Sequence, residues 1–281
     1  MPIKRARMSC FLIYNTTMSK WAHKRKRNIL IVVGIIVLVI IAFLFVRVTD
    51  TEPSCVDGIQ NGTETGIDCG GDCLRLCQDE ARGLIVWWER PFRVANGVYN
   101  TVAYIENQNL YSGIERMSYE FRLYDKDNIL VSEPFQGTTF IEPNKRSAIF
   151  ASGIKTGEGE AHTVFLRILS VQDWENVPQD FSYDLFDVTQ PVLTNQDTAP
   201  KLSASVENKT FFDFDNIPVV AILYNQKDNA IAASQTFTDS LSQGESTQVF
   251  YSWPEPFGDT VSRIEIIPRI DPFLNRSVVE Q

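Results

Sequence analysis

Four cysteines crowd into the stretch CVDGIQNGTETGIDCGGDCLRLC, at positions 55, 69, 73 and 77. Thiols so gathered either cross-link or hold a metal. Structural zinc sites are commonly built from paired C-x2-C knuckles, and the spacing here, C-x13-C-x3-C-x3-C, contains none. An even number of cysteines in a segment too short to bury a core reads as two disulfides, which order it by removing entropy from its unfolded state. Three pairings of Cys55, Cys69, Cys73 and Cys77 are possible, and the sequence does not choose among them.

Oxygen ligands sit in the same stretch. Laid on a twelve-residue calcium loop, Asp57, Asn61, Gly62 and Asp68 take positions 1, 5, 6 and 12, but Ile59 stands where position 3 needs an oxygen and Glu64 where position 8 is apolar. Asp57, Asn61, Glu64 and Asp68 are therefore calcium candidates only in some other geometry. The competing reading gives the turns to Gly58, Gly62, Gly66, Gly70 and Gly71 and leaves the acids in solvent.

Catalytic chemistry is scarce elsewhere. The chain has two histidines, His23 and His162, which leaves no H-E-x-x-H zinc motif and no histidine-based triad. It contains no G-x-S-x-G elbow, P-loop or G-x-G-x-x-G. The expectation is a protein that is not an enzyme, with no catalytic residues and no cofactor beyond the calcium alternative. The aromatic residues Trp87, Trp88, Trp174, Trp253, Phe211, Phe212 and Phe214 are read as core, with a sugar- or protein-binding patch as the alternative. The sequons at Asn61, Asn208 and Asn275 matter only where the chain is exported and glycosylated.

Cross-links and sequons have meaning only in an oxidising compartment, and the stretch before them indicates which compartment that is. Ile29 to Val46, ILIVVGIIVLVIIAFLFV, is uncharged and apolar around its whole circumference. At ~1.5 Å per residue it spans roughly 27 Å as a helix, close to a hydrocarbon core of about 30 Å. It is expected to be a transmembrane helix. Residues 1–28 carry eight bases and no acid, whereas residues 47–80 carry two bases and eight acids. By the positive-inside rule the N-terminus stays in the cytoplasm and the C-terminal part is exported through the cell membrane. The tail's +8 within a chain total of −9 leaves −17 for the remainder, which argues against nucleic acid as a partner. A cleaved signal peptide is the rival reading; it calls for a shorter apolar core and a small-x-small site, and FLFVRVTDTEPSC offers neither. Cys10 falls in the basic tail as a free thiol, and that tail is expected to be disordered.

The string C-x-D-G-I-x-N-G-x-E-T-G-I-D-C-G-G-x-C-x-x-x-C resembles a short cysteine module of surface and secreted proteins. The resemblance implies an extracytoplasmic, cross-linked knot without catalytic activity.

Beyond residue 83 the pattern turns to strands. In MSYEFRLY, Met117, Tyr119, Phe121 and Leu123 alternate with Ser118, Glu120, Arg122 and Tyr124, the signature of a strand with one buried face. Val98–Glu106, Ser147–Ala151 and Thr163–Val171 are further predicted strands. Short strands between turn signals point to an antiparallel sandwich. A second copy follows at an offset of 100 or 101: VAYIENQ (102–108) matches SASVENK (203–209), FRLYDKDNIL (121–130) matches AILYNQKDNAI (221–231), and FIEPNKRSAIF (140–150) matches SLSQGESTQVF (240–250). Three blocks in constant order predict two domains of one fold. The literal FRLYD at 121–125, after the strand end at Glu106-Asn107, resembles the FxLYD family of immunoglobulin-like sandwiches; the second copy keeps Leu223 and Tyr224 and replaces Asp125 by Asn225. That resemblance implies a fold and an exported or membrane-tethered setting.

The expected organisation is all-β outside the membrane: cytoplasmic tail 1–28, transmembrane helix 29–46, disulfide-stapled neck 47–83, β-sandwich 84–185, a Pro- and Thr-rich linker 186–200, and a second β-sandwich 201–281. The expected role is a single-pass, signal-anchored cell-surface protein. Its partners are the membrane, through residues 29–46, and an unidentified protein or envelope polysaccharide. A structural spacer or assembly subunit and a calcium-responsive adhesin are the alternatives.

Overall fold

The structure, a computed structural model, describes residues 20–49, 53–177 and 185–273. It divides into two units, residues 1–53 and 54–281. In the first, α1 (Lys20–Thr49) is one continuous helix. It runs further than the apolar stretch alone predicts, because KWAHKRKRN contains neither Pro nor Gly to stop it. Residues 20–28 are thus helical rather than disordered, and Cys10 lies outside the described residues. Within His23–Phe45 an eighteen-residue window has a mean hydropathy of 3.3 and none of it is buried, so α1 is long and apolar enough to cross a membrane.

The second unit carries the neck and two sandwiches. The first sandwich comprises β1 (Ile85–Ala95), β2 (Val98–Asn107), β3 (Ser112–Tyr124), β4 (Phe135–Ile141), β5 (Lys145–Lys155), β6 (Thr163–Val171) and β7 (Trp174–Asn176). The second comprises β8 (Phe186–Thr194), β9 (Lys201–Asn208), β10 (Phe214–Tyr224), β11 (Ala230–Leu241), β12 (Ser246–Ser252) and β13 (Arg263–Pro268). All pairings are antiparallel. Sheet I has the order β4-β3-β6, with β7 added to β3; sheet II is β1-β2-β5; sheet III is β11-β10-β13; sheet IV is β12-β9-β8. Shifted by one copy, the order of sheet I becomes that of sheet III and the order of sheet II becomes that of sheet IV.

Period-two patterning explains the two inner cores. Met117, Tyr119, Phe121 and Leu123 of β3 point inward, as their alternation requires, and meet Ala103, Ile105 and Ile149 of sheet II. Val219, Ala221 and Leu223 of β10 meet Leu202, Ala204, Val206 and Val249 of sheet IV in the same way. The other faces of sheets II and III are also apolar. Val102 and Ala148 on one side, and Val220, Ile222, Tyr224, Ala233 and Ile267 on the other, form a third core between the sandwiches. The layers therefore stack I, II, III, IV, and β2 and β10 are buried on both faces. That is why VAYI and VVAILY read as uninterrupted apolar runs rather than alternating ones.

The stretch 186–200, expected to be a linker, is largely strand: β8 pairs with β9 from Phe186↔Asn208 to Thr194↔Lys201. Its proline does not end the strand. Pro191 sits on an edge strand within the irregularity between Thr189 and Val192, beside Gln190 at φ 54°, where a missing N–H breaks no ladder bond.

Two local devices recur in both sandwiches. Asp125 Oδ1 accepts from the backbone N–H of Asp127 and Ile129 at 2.9 Å each, closing the turn after β3. Asn225 Oδ1 accepts from Lys227 and Asn229 at 3.0 Å each, so the Asp-to-Asn change keeps the acceptor that matters. Buried Asn107 donates Nδ2 to the carbonyls of Ser112 and Glu142, and buried Asn208 donates to those of Phe212 and Leu241. The sequon nitrogen of Asn208 is therefore consumed inside the fold.

Candidate functional site

The neck resolves the cysteine pairing as Cys55–Cys73 and Cys69–Cys77. Gly66 has to be glycine, because a Cβ there would lie 2.8 Å from the sulfurs of both Cys69 and Cys77. The neck is fastened to the first sandwich. Leu76 N–H donates to the Trp174 carbonyl at 2.8 Å, Asn176 N–H to the Leu74 carbonyl at 2.6 Å, and Arg75 pairs with Asp173 at 2.8 Å. Asn109 exchanges two 2.8 Å hydrogen bonds with the Arg82 backbone.

The four calcium candidates share this loop; the carboxylates of Asp57, Glu64 and Asp68 accept hydrogen bonds within it, while Asn61 Oδ1 is buried without a hydrogen-bond partner. Asp57 accepts from Ile59 N–H at 2.9 Å and from Asn61 Nδ2 at 2.8 Å. The Asn61 hydrogen bond, then that of Ile59, holds the Asp57 carboxyl below its ordinary value. Glu64 accepts from Asn61 N–H at 3.1 Å, and both oxygens of Asp68 accept from Gly58 N–H, at 2.9 and 3.0 Å. Among the described residues, the converging ligand-type atoms are those of Cys55, Glu64 and Cys73. Two of these are sulfurs of one disulfide, which offers no thiolate to a metal.

The strongest chemistry in the fold lies between the sandwiches. Glu142, 4% exposed, follows β4; Arg269, 6% exposed at its side chain, follows β13. Arg269 Nε lies 3.5 Å from Glu142 Oε2, while its other nitrogens donate to Thr139 Oγ1 at 3.0 Å and the Phe140 carbonyl at 2.6 Å. Glu142 also accepts from Ile270 N–H at 3.1 Å, Ser147 Oγ at 3.2 Å and Lys145 Nζ at 3.3 Å. Burial pushes its carboxyl up, but Lys145, Arg269 and the Ile270 amide outweigh it and hold the group below its ordinary value. Tyr104 of the first sandwich and Tyr224 of the second also both donate to Glu265, at 2.6 and 2.8 Å. Burial, reinforced by Glu265, drives both phenols above their ordinary range. Trp88 stacks on Tyr104 at 5.3 Å and meets Tyr224 edge-on at 6.5 Å. Arg90 donates to the Ala230 carbonyl at 2.7 Å.

Sequence reasoning missed Glu142, Arg269, Tyr104 and Glu265, since nothing local marks partners 127 or 161 positions apart. Of the aromatics, Trp253 and Phe214 are core, Trp88 belongs to the seam between sandwiches, and Trp174 packs against the first core. Trp87 and Phe211 are exposed, Phe211 by 84%. His162 is exposed at the start of β6 and anchors through its backbone to the Tyr124 carbonyl.

No protein family and no curated protein matches the chain. Among solved structures it is similar to red sea bream transglutaminase (8% identity, TM-score 0.22, 64% of this chain and 29% of that one). It is also similar to the C-terminal globular domain of an oligosaccharyltransferase from Pyrococcus abyssi (12%, 0.20, 66% and 46%). A third is the calcium binding domain CBD12 of CALX1.1 (12%, 0.20, 64% and 77%). The chain spans less than half the length of the first two. Likenesses this loose carry no functional argument.

Proposed function

We propose that the chain is a single-pass surface protein whose neck and paired sandwiches form a rigid, non-enzymatic platform for binding a protein or envelope polymer. In this reading α1 is an uncleaved signal-anchor with its basic end in the cytoplasm, and residues 54–281 lie outside. The +8 flank, the acidic remainder and the two disulfides support that orientation. The two sandwiches are copies of one domain of FxLYD type, a reading supported by the matching strand order and by the paired roles of Asp125/Asn225 and Asn107/Asn208.

One observation carries the platform reading: the third apolar core, with the Glu142–Arg269 pair at its edge, ties two sandwiches that would otherwise swing about a joint. The reading does not call on calcium, since the carboxylates of Asp57, Glu64 and Asp68 already accept hydrogen bonds within the loop. The same rigidity favours a second reading, a spacer or assembly subunit of an envelope machine.

Cross-linking in intact cells separates the two, since a binding platform captures one partner reproducibly and a spacer shows only its assembly neighbours. Orientation is checked by adding protease to sealed cells. Residues 54–281 are expected to be cut, and protection that ends only on lysis contradicts the reading.

A further inference from the structure

We propose that the surface at Trp87 and the cleft beside it bind an uncharged glycan, with a sugar ring stacked on the exposed indole and its hydroxyls met by Arg146. This rests on the platform reading above and deepens it, by naming the chemistry of the polymer. Trp87 owes its position to a β-bulge. The register of β1 against β2 slips between Val86 and Trp88, and a bulge re-aims a side chain that would otherwise face the opposite way from its neighbour. As a result Trp88 stacks on Tyr104 while Trp87 meets Glu106 and Arg146, which share the Tyr104 face of sheet II.

The indole is held although it lies at the surface. Its Nε1 donates to Glu106 Oε2 at 2.7 Å, and the Arg146 guanidinium covers one ring face, 4.5 Å from the centroid. The residue is still 51% exposed. An aromatic ring fixed in one orientation suits the flat C–H face of a pyranose, because both partners are rigid and little entropy is lost when they stack. Arg146 also lines a cleft of about 430 Å³ between the sandwiches, with Tyr104 and Lys145 on one wall and Phe186, Val188 and Glu265 on the other. That is room for a small ligand. The charges of the cleft are matched: Arg146 lies 3.6 Å from Glu106, Lys145 3.3 Å from Glu142, and Glu265 3.1 Å from Arg263. No excess charge draws an ion there, and the −17 of the chain beyond residue 28 repels acidic polymers. At 3.6 Å Arg146 is in ionic contact with Glu106 but beyond hydrogen-bond reach, so its half-exposed donors stay open to hydroxyl oxygens.

The test titrates the full-length protein, in a detergent without a sugar headgroup, with tetramers of glucose, N-acetylglucosamine, mannose and galactose. Tetragalacturonate is the charged comparison, and calorimetry and tryptophan emission are the readouts. At least one neutral tetramer is expected to bind, to shift the emission, and to hold its affinity as salt rises. Trp87→Ala and Arg146→Gln should each weaken it about tenfold or more. Phe211→Ala, at a residue 84% exposed between β9 and β10, should leave it unchanged. Thermal melts check that each variant is folded, and Arg146→Gln alone decides the matter if Trp87→Ala is not. No neutral tetramer bound up to about 5 mM, undiminished affinity in the folded variants, or binding of tetragalacturonate alone overturns the sugar site. Protection of residues 54–281 from protease in sealed cells overturns the exported platform instead, whatever the sugars do.

Discussion

Sheets I and III hold the same place in the two sandwiches, and their outer faces carry opposite chemistry. Across sheet I, Gln136, Glu120 and Arg167 form one row; across sheet III the matching row is Gln235, Val220 and Ile267. One step along, Arg122 and Phe165 answer to Ile222 and Glu265. In sheet I the Glu120 carboxylate lies 2.7 Å from Arg122 and 3.3 Å from Arg167. Burial opposes its ionisation, but the Gln136 hydrogen bond and the two guanidiniums keep it below its ordinary value. In sheet III the counterparts of Glu120, Arg122 and Arg167 are Val220, Ile222 and Ile267, which lie in the core between sandwiches.

Sheets II and IV repeat the contrast. Trp88, Tyr104 and Ala148 of the docked face correspond to Thr189, Ser205 and Gln248 of the free one. The fold is used twice, and surface chemistry decides which pair of faces closes. Because that contact joins unlike faces, apolar surfaces at both ends would let it propagate from molecule to molecule. The Gln136-Glu120-Arg167 row of sheet I and the Thr189-Ser205-Gln248 row of sheet IV oppose it, although Phe165, Val192 and Phe250 are exposed on the same faces.

The largest predicted effect comes from moving the polar row inward. Val220→Glu, Ile222→Arg and Ile267→Arg together place unpaired charge in the third core and should cost about 4 kcal/mol or more. Urea unfolding should show that loss, and solution scattering should show the sandwiches parting. Next is Glu142→Ala, which strands buried Arg269 and should cost about 3 kcal/mol. Because the folded Glu142 carboxyl titrates below its unfolded value, its contribution is complete above about pH 5 and fades as pH falls through the folded value. The variant should lose that part of the acid-side slope in a series of melts.

Cys69→Ser/Cys77→Ser, which opens a loop of eight positions, should cost about 2–3 kcal/mol, confined to the neck. Hydrogen exchange should then accelerate at the Leu76 amide while β10 is unaffected. The smallest change in stability, within about 1 kcal/mol, is expected from Glu120→Val/Arg122→Ile/Arg167→Ile, whose two guanidiniums are partly exposed. That variant should instead self-associate as concentration rises in sedimentation, because sheet I then resembles sheet III.

Much of this contrast stands in the sequence. The aligned blocks VAYIENQ and SASVENK already set Val102 and Tyr104 against Ser203 and Ser205. What covers Val102 cannot be seen there, because its cover, sheet III, lies a hundred residues on and is recognised only by packing. Strand positions such as Met117–Tyr124 were legible because alternation is local. Residues 186–200 were misread because a proline on an edge strand looks like one in a linker. The cysteines announced disulfides, but their pairing depends on where the neck folds back, and the Glu142–Arg269 pair leaves no local trace.

The central claim is that both sandwiches open as one body because they share a core. Native-state hydrogen exchange in rising urea tests it most directly, by following the amides of β2 and β10. The account predicts that their opening free energies merge into one value, and that the charged Val220/Ile222/Ile267 variant splits them. Wild-type amides of β10 that open well before those of β2 would contradict it.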